Sequence, residues 1–383
     1  MDWQTVLTNY SQVDVRKVGA GLQFASKPGL PFYPDVPPAT LQLLQLLMPP
    51  AGQVIVDASH SQGLLAQALQ HAGAAEVWVV TGSSAALTTS QHINTNLQYT
   101  ANPLWQMPPN LADAIYLVPS TALGDVRVEA EVQGAYRLLK PGGMLTMALS
   151  KRQGAKRYEQ VARNLFGDLT SLSKTKDWQL SRCVKADAPS EPQVIGEPQT
   201  FEVVGLELQA HPGVFAAGKL DGGTACLLDV LTQDGLLNDT TLLGKRVLDL
   251  GCGYGLLALK AALAGAAVTA LDDDLLAVKS TAANASHYGL DVRCLHSDVG
   301  SALTDEVFDV VLMNPPFHVG KQVDMHVPYA FLATAIKHLA DDGVVYIVAN
   351  AALDYETPLT TWGRLKQVHQ FEAYKVLVWQ HHK

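Results

Sequence analysis

The chain has 383 residues, with 36 Asp and Glu against 27 Lys and Arg, a formal charge of −9, and 48% hydrophobic residues. That length predicts two domains and that composition a packed globular protein, which excludes a disordered chain and a surface coated throughout in positive charge. No apolar run is long enough to span a bilayer, and the first residues carry no secretory pattern. The four scattered cysteines (Cys183, Cys226, Cys252, Cys294) form no Cys-x-x-Cys pair, so the expectation is a cytoplasmic protein with reduced thiols, no membrane segment and no metal.

Residues up to about Pro38 read as an irregular or short-strand lead-in. A helical pattern over Ala39–Met48 stops at Pro49-Pro50, because proline has no N–H for the helix. Gln53–Asp57 is an apolar strand, followed by Ser59-His60-Ser61-Gln62-Gly63 and a helix from Leu64 to about His71. Glu76–Val80 and Ala112–Val118 are further strands. Val128–Leu139 is a helix closed by Lys140-Pro141-Gly142-Gly143, before a strand at Met144–Leu149. Strands alternating with helices predict βαβ units, hence an α/β fold.

The second half repeats the first at an offset of about 190–200 residues, a domain-sized period. Gly244-Lys245-Arg246-Val247-Leu248-Asp249 echoes Gly52-Gln53-Val54-Ile55-Val56-Asp57, and Gly255-Leu256-Leu257-Ala258 echoes Gly63-Leu64-Leu65-Ala66. Asp309-Val310-Val311 matches Asp113-Ala114-Ile115, and Ala335–Leu339 with Gly343 matches Ala135–Leu139 with Gly143. The chain therefore reads as a tandem duplication: a domain over 1–188, a linker over 189–200 within the proline-rich stretch that begins near Asp187, and a second domain over 201–383. After the linker, Phe201–Leu208 alternates like a strand, and Asp221-Gly222-Gly223-Thr224 opens a helix through Val230.

The copies differ where chemistry would sit. In the second, the first strand runs into Asp249-Leu250-Gly251-Cys252-Gly253-Tyr254-Gly255, whose alternate glycines permit a tight turn and leave room for a ligand against the backbone. The next strand ends in Asp272-Asp273-Asp274, about twenty residues on, where an acid is placed to accept from ribose hydroxyls. Asp298 follows a further strand and is suited to an adenine amino group. The strand Phe308–Met313 ends in Asn314-Pro315-Pro316-Phe317-His318, a stiff extended loop. The Asn314 side-chain carbonyl and the Pro315 backbone carbonyl are acceptors for an exocyclic amine, and the Phe317 ring is a surface on which a flat base would stack. The first copy has Ser59-His60-Ser61, Thr81-Gly82 and Val118-Pro119-Ser120-Thr121 at these places. It reads as a fold retained with its chemistry lost, with no cluster of titratable groups in place of the missing parts.

Basic residues concentrate in the first copy, among them Lys151, Arg152, Lys156 and Arg157, with Tyr158, Phe166 and Trp178 interleaved. Positive charge releases counterions from phosphates and ring faces stack on unpaired bases, so this segment is the candidate RNA-binding surface.

Val247–Gly255 resembles the first motif of class I S-adenosylmethionine (SAM)-dependent methyltransferases, and Asn314-Pro315-Pro316-Phe317-His318 is similar to the amino-methylating signature. With Pro212-Gly213-Val214-Phe215, Leu220-Asp221-Gly222-Gly223-Thr224, Ile347-Val348-Ala349-Asn350 and a degenerate first copy, the chain resembles the RsmC/RlmG group of ribosomal RNA guanine-N2 methyltransferases. The resemblance implies two tandem Rossmann-like domains, each a mostly parallel seven-stranded sheet flanked by helices with the last strand antiparallel, the first domain degenerate and binding RNA. It implies SAM as cofactor and ribosomal RNA or a ribosomal subunit as partner of a monomeric enzyme. Asp249, Gly251, Cys252, Gly253 and Gly255 would line the methionine part of SAM, Asp272 (or, one residue on, Asp273) would hold the ribose, and Asp298 the adenine. Thr224 and the Asp221-Gly222-Gly223 turn would help close the pocket. Asn314, with Pro315 and Phe317, would hold the target amine beside the cofactor.

Adenine-N6 methylation of RNA or DNA stays open, because the same loop geometry serves that amine. A non-catalytic RNA-binding or ribosome-assembly protein and a small-molecule methyltransferase are the other readings.

Overall fold

The computed structural model describes residues 2–19, 21–47, 51–93, 96–187, 196–238, 240–316, 318–319, 322–323 and 325–381. It divides into two compact units, one formed by Met1–Gln12 with Pro198–Lys383 and the other by Val13–Glu197.

The Val13–Glu197 unit holds strands β1 (Val54–Ala58), β2 (Glu76–Val80), β3 (Gln98–Thr100), β4 (Ala112–Leu117), β5 (Leu139–Ser150), β6 (Thr170–Lys174) and β7 (Trp178–Val184). They form one sheet in the order β3-β2-β1-β4-β5-β7-β6. The other unit repeats it with β8 (Arg246–Leu250), β9 (Ala267–Asp272), β10 (Val292–His296), β11 (Phe308–Met313), β12 (Leu339–Asn350), β13 (Arg364–Gln370) and β14 (Tyr374–Gln380), in the order β10-β9-β8-β11-β12-β14-β13. In each sheet the seventh strand is antiparallel to its neighbours: β14 pairs antiparallel with β12 and β13, and β7 with β5 and β6. The duplication and the mostly parallel seven-stranded sheets are as the sequence predicts.

Helices cover both faces of the parallel strands, which is why those strands read as continuous apolar runs. Val247, Leu248, Asp249 and Leu250 of β8 are all buried. Leu248, Val311, Met313, Leu332, Ile347 and Trp379 belong to one continuous core in this unit. Leu248 stands opposite Thr269 on one side and Val311 on the other, both in parallel register. The strand order reverses between β8 and β11, so the loops leaving their carboxyl ends open a crevice there, where open α/β sheets take ligands.

The lead-in differs from the irregular segment expected. Trp3–Ser11 is a helix, capped at its N-terminus by the Asp2 side chain, which accepts from the Thr5 N–H at 2.8 Å. Val6 and Tyr10, one turn apart, are its buried face, and the helix packs on His326–Lys337 of the second unit. Residues 1–12 thus belong with the second unit by contacts, whereas the sequence reading put them in the first domain. Asp14–Val18 and Leu22–Ser26 then form a hairpin. The strand expected over Phe201–Leu208 is two strands, Gln199–Val203 and Leu206–Ala210, turning at Val204 (φ 48°) and Gly205 (φ 71°). Residues 189–195 of the expected linker lie outside the described residues.

Candidate active site

Two loops meet at the crevice between β8 and β11. The first leaves β8 through Gly251, Gly253 and Gly255, with φ of 85°, 57° and 92°, a left-handed backbone that side chains resist. Space is short as well as conformation: a Cβ on Gly255 would lie 2.8 Å from Cγ2 of Thr281. The Thr281 hydroxyl donates to the Gly253 carbonyl at 3.0 Å, and the Gly251 and Cys252 N–H groups donate to the Leu271 carbonyl at 2.8 and 3.0 Å. These bonds hold the turn against the end of β9, and helix Leu256–Leu263 starts directly after it.

Two carboxylates brace this loop. Asp249 is buried, and its Oδ2 accepts from the Ala258 N–H at 2.9 Å. Its Oδ1 is buried with no hydrogen-bond partner among the described residues. Burial pushes the Asp249 carboxyl up to about 7. Asp272 accepts from the Gly253 N–H at Oδ2 and from the Asp274 N–H at Oδ1, both at 2.9 Å. Burial raises its pKa to about 7 as well, against the lowering effect of those two bonds. The three adjacent acids take separate tasks. Asp272 sits at the strand end on the glycine loop, Asp273 gives its backbone carbonyl to His296, and Asp274 caps helix Leu275–His287. The Cys252 thiol is buried and pushed well up by burial, within 3.3 Å of the Thr281 hydroxyl.

The second loop leaves β11 at Asn314. Its Nδ2 donates to Asp221 Oδ2 at 2.9 Å and to Thr224 Oγ1 at 3.0 Å. Asp221 is also the N-cap of helix Gly222–Gln233, accepting from the Thr224 N–H at 2.9 Å. Both amide hydrogens of Asn314 are therefore engaged, which leaves its Oδ1 as the acceptor. The two glycines after Asp221 lie close to their neighbours: a Cβ on Gly222 would lie 3.0 Å from the Tyr374 ring, and one on Gly223 3.1 Å from Asp221 Oδ2. Pro315 is buried and Pro316 exposed. Phe317 lies outside the described residues, and His318 is described only as backbone in a two-residue strand. Phe215, Thr224, Gly251, Cys252, Gly253 and Asn314 line one cleft, so the two motifs, sixty residues apart, do share a site.

Asp298 lies past β10, and its Oδ1 accepts from the Tyr10 hydroxyl at 2.8 Å. Sequence reading passed over Tyr10 and gave Asp221 only a part in closing the pocket. Available signals were the Asp2 cap ahead of Val6 and Tyr10 at helical spacing, and the Asp-x-x-Thr capping pattern.

The first copy shows how an equivalent loop is closed. Asp57, the counterpart of Asp249, accepts at Oδ1 from the Ser59 N–H at 3.0 Å and from the Ser59 hydroxyl. At Oδ2 it accepts from the Ser61 hydroxyl at 2.8 Å and the Ala66 N–H at 3.1 Å. The serines standing in place of the glycines thus satisfy the acid internally. One expectation is corrected here: titratable groups do gather at this end of the first sheet. Arg127 pairs with Glu131 at 3.0 Å and lies over the Trp105 ring, Glu131 accepts from the Ser120 N–H at 2.9 Å, and His60 Nε2 lies 3.1 Å from the Ser120 hydroxyl. Residues 60, 105, 120, 127 and 131 are too far apart in sequence for such a cluster to be seen without the fold.

The four basic candidates are exposed. Arg157 pairs with Asp125 and Glu129, Arg152 with Asp177 at 3.0 Å, and Lys151 donates to the Thr175 carbonyl. Lys156 has no ion-pair partner among the described residues. No group of three or more His, Cys, Asp or Glu is arranged to hold a metal among the described residues, and no helix there is long and apolar enough to cross a membrane.

Residues 205–378 match the family model described as Methyltransferase small domain. Ribosomal RNA small subunit methyltransferase C of Stutzerimonas stutzeri is 31% identical over 249 residues, 62% of this chain and 71% of that protein. The T. thermophilus 16S rRNA N2 G1207 methyltransferase (RsmC), solved in complex with AdoMet and guanosine, is 30% identical and superposes with a TM-score of 0.86 over 100% of both chains. The chain belongs to the RsmC/RlmG family of ribosomal RNA methyltransferases. The similarity to the Chromohalobacter salexigens member, 39% over 155 residues, covers 40% of this chain and 45% of that protein; the chain spans about half to two thirds of the length of several such relatives.

The residues present fit the family's cofactor, SAM. Gly251 and Gly253 of the glycine loop line the cleft, Asp249 keeps a buried acceptor that the first copy's serines consume, and Asp272 and Asp298 stand at the ends of successive strands.

Proposed function

We propose that this chain transfers a methyl group from SAM to the exocyclic N2 amine of a guanine in ribosomal RNA, acting as a monomer in the cytoplasm. The observation that carries the reading is the clamp on Asn314 by Asp221 and Thr224.

Bound SAM supplies a methyl group already activated on a positively charged sulfur. The protein's task is then to aim a nucleophile. The N2 lone pair of guanine is delocalised into the ring, which makes it a poor one. Asn314 Oδ1, oriented by the clamp, accepts one amine hydrogen, and the Pro315 carbonyl accepts the other. Two acceptors on one side of the nitrogen favour a pyramidal amine whose lone pair is turned away from them, toward the methyl. Phe317 would stack on the base and fix its plane. Proximity of this kind contributes on the order of several kcal/mol. The proton leaves to solvent after transfer, so no general base is needed.

For the cofactor, Gly251–Gly255 with Asp249 and Cys252 would lie against the methionine part, Asp272 would accept from the ribose hydroxyls, and Asp298 would accept from the adenine amine. Thr224 orients Asn314 at the edge of the same pocket. The target base must be single-stranded or extruded, and Lys151, Arg152, Lys156 and Arg157 of the first copy would bind phosphates of the RNA.

Methylation of naked RNA and of each ribosomal subunit with labelled SAM, followed by mass spectrometry of the nucleosides, tests the reading. N2-methylguanosine is the expected product. N6-methyladenosine would transfer the reading to adenine, and no incorporation on any RNA or particle would overturn it.

A further inference from the structure

The first helix of the chain, Trp3–Ser11, packs into the unit formed mainly by residues 198–383, and Tyr10 near its end is buried in that unit's core with only its hydroxyl group polar. That hydroxyl donates to Asp298 Oδ1 at 2.8 Å, across 288 residues of sequence. Burial explains the ring, because Tyr10 shares a core cluster with Val299, Leu303 and Phe331. It does not explain the hydroxyl, since a phenylalanine ring would fill the same volume. A buried tyrosine oxygen needs a partner, and here it has taken a carboxylate that is itself half-buried and follows β10 at the ligand edge of the sheet.

We propose that Tyr10 is a positioning residue for the adenine end of the cofactor site, holding the Asp298 carboxylate in the orientation that accepts the purine 6-amino group. The inference rests on the reading of Asp298 as the adenine acceptor and adds a residue that reading does not contain. A carboxylate on a short side chain turns readily about χ2, and one charge-assisted bond at Oδ1 selects a single orientation. The Tyr10 hydroxyl takes one of roughly four lone-pair positions of the carboxylate, and the purine amine requires one other. The residue that tunes cofactor recognition is thus supplied by the first dozen residues of the chain, ahead of the whole first copy.

The test compares binding of S-adenosylhomocysteine with that of its 6-oxo analogue, S-inosylhomocysteine, to the full-length protein. The analogue presents an oxygen where the amine stood, so a fixed carboxylate rejects it and a loosened one rejects it less. Tyr10→Phe keeps the ring and removes the bond. It is expected to narrow the preference for the amino compound by about tenfold, the size of one charge-assisted hydrogen bond of roughly 1.4 kcal/mol. Asp298→Ala is expected to abolish the preference, and adding Tyr10→Phe to Asp298→Ala to change nothing further. If Tyr10→Phe weakens both ligands equally, or neither, while Asp298→Ala abolishes the preference, Tyr10 is only a core residue and the proposal fails with the Asp298 reading intact. If Asp298→Ala leaves the preference unchanged, the Asp298 reading itself fails and takes the proposal with it. Melting temperatures of the variants separate a folding defect, which lowers both affinities together, from the loss of discrimination.

Discussion

Asn314 Nδ2 donates to Asp221 Oδ2 at 2.9 Å, a bond between residues 93 positions apart that joins the loop leaving β11 to the N-cap of helix Gly222–Gln233. The same carboxylate oxygen caps the helix through the Thr224 N–H. One oxygen thereby sets both the start of a helix and the direction in which the Asn314 carbonyl points.

That double duty can be separated. Asp221→Ala removes the cap and one of the two bonds of the clamp, costing about 1 kcal/mol of stability and an expected fall in turnover of about tenfold or more. Asp221→Ser restores a capping oxygen but is too short to reach Asn314. Thermal melts should show stability recovered in the serine variant, while single-turnover methylation stays low.

Asn314→Ala removes the acceptor for the target amine and leaves the glycine loop untouched. The expected result is a fall in methyl transfer of roughly 10²–10³-fold, in line with loss of one preorganised hydrogen-bonding group at a reacting centre, with cofactor affinity changed by no more than about threefold. Calorimetry with S-adenosylhomocysteine beside a methylation assay checks both halves. Retained transfer would sink the role assigned to Asn314.

Gly255 combines a φ of 92° with 2.8 Å from its added Cβ to the Thr281 methyl. Gly255→Ala is expected to cost about 1–3 kcal/mol in denaturant unfolding. Adding Thr281→Ser removes the methyl but not the left-handed strain, so the double variant should recover only part of the loss.

Burial raises the carboxyls of both Asp249 and Asp272 to about 7 in the folded chain, well above the ordinary aspartate value of 3.8. A raised folded value means that the native state holds its proton more tightly than the unfolded chain. Their contribution to stability is therefore fully present below the ordinary aspartate value, and is lost as pH rises from there through about 7. Cofactor binding has the opposite sign, because a ribose-holding carboxylate accepts best when ionised. SAM affinity should rise from about pH 6 to about pH 8 in wild type, and Asp272→Asn should flatten that rise.

On the first copy, Lys156 carries an unpaired positive charge among the described residues, whereas Arg157 is already held by Asp125 and Glu129. Lys156→Ala is expected to reduce the slope of log K against log salt for single-stranded RNA by about 0.7. Arg157→Ala should change it less. Titrations at several salt concentrations distinguish the two.

Local sequence was enough to show the duplicated α/β fold, because a buried parallel strand is a continuous apolar run and each copy's strand-to-helix turn ends in a glycine before an apolar helix start. Gly251, Gly253, Gly255, the acids at the end of β9 and Asn314-Pro315-Pro316 were legible for the same reason: each is a residue type that its local backbone or its chemistry demands. The ends of the chain's first segments were harder. Trp3–Ser11 is too short to show a clear period, and its buried face meets a core built from residues more than 200 positions away.

Asn314 was recognisable from sequence as an acceptor in kind, since asparagine before two prolines at a strand end has few structural uses. Which of its amide atoms faces the target was not. An amide can point either way, and only folding brings Asp221 and Thr224 within 3.0 Å of Nδ2 to decide it. Tyr10 and Asp298 make the same point at the other end of the site. Sequence by itself determined which groups this protein owns and which strand ends carry them, because propensity and turn chemistry act over a few residues. Their orientation was decided only by the tertiary structure, because it depends on hydrogen bonds between elements that nothing local connects.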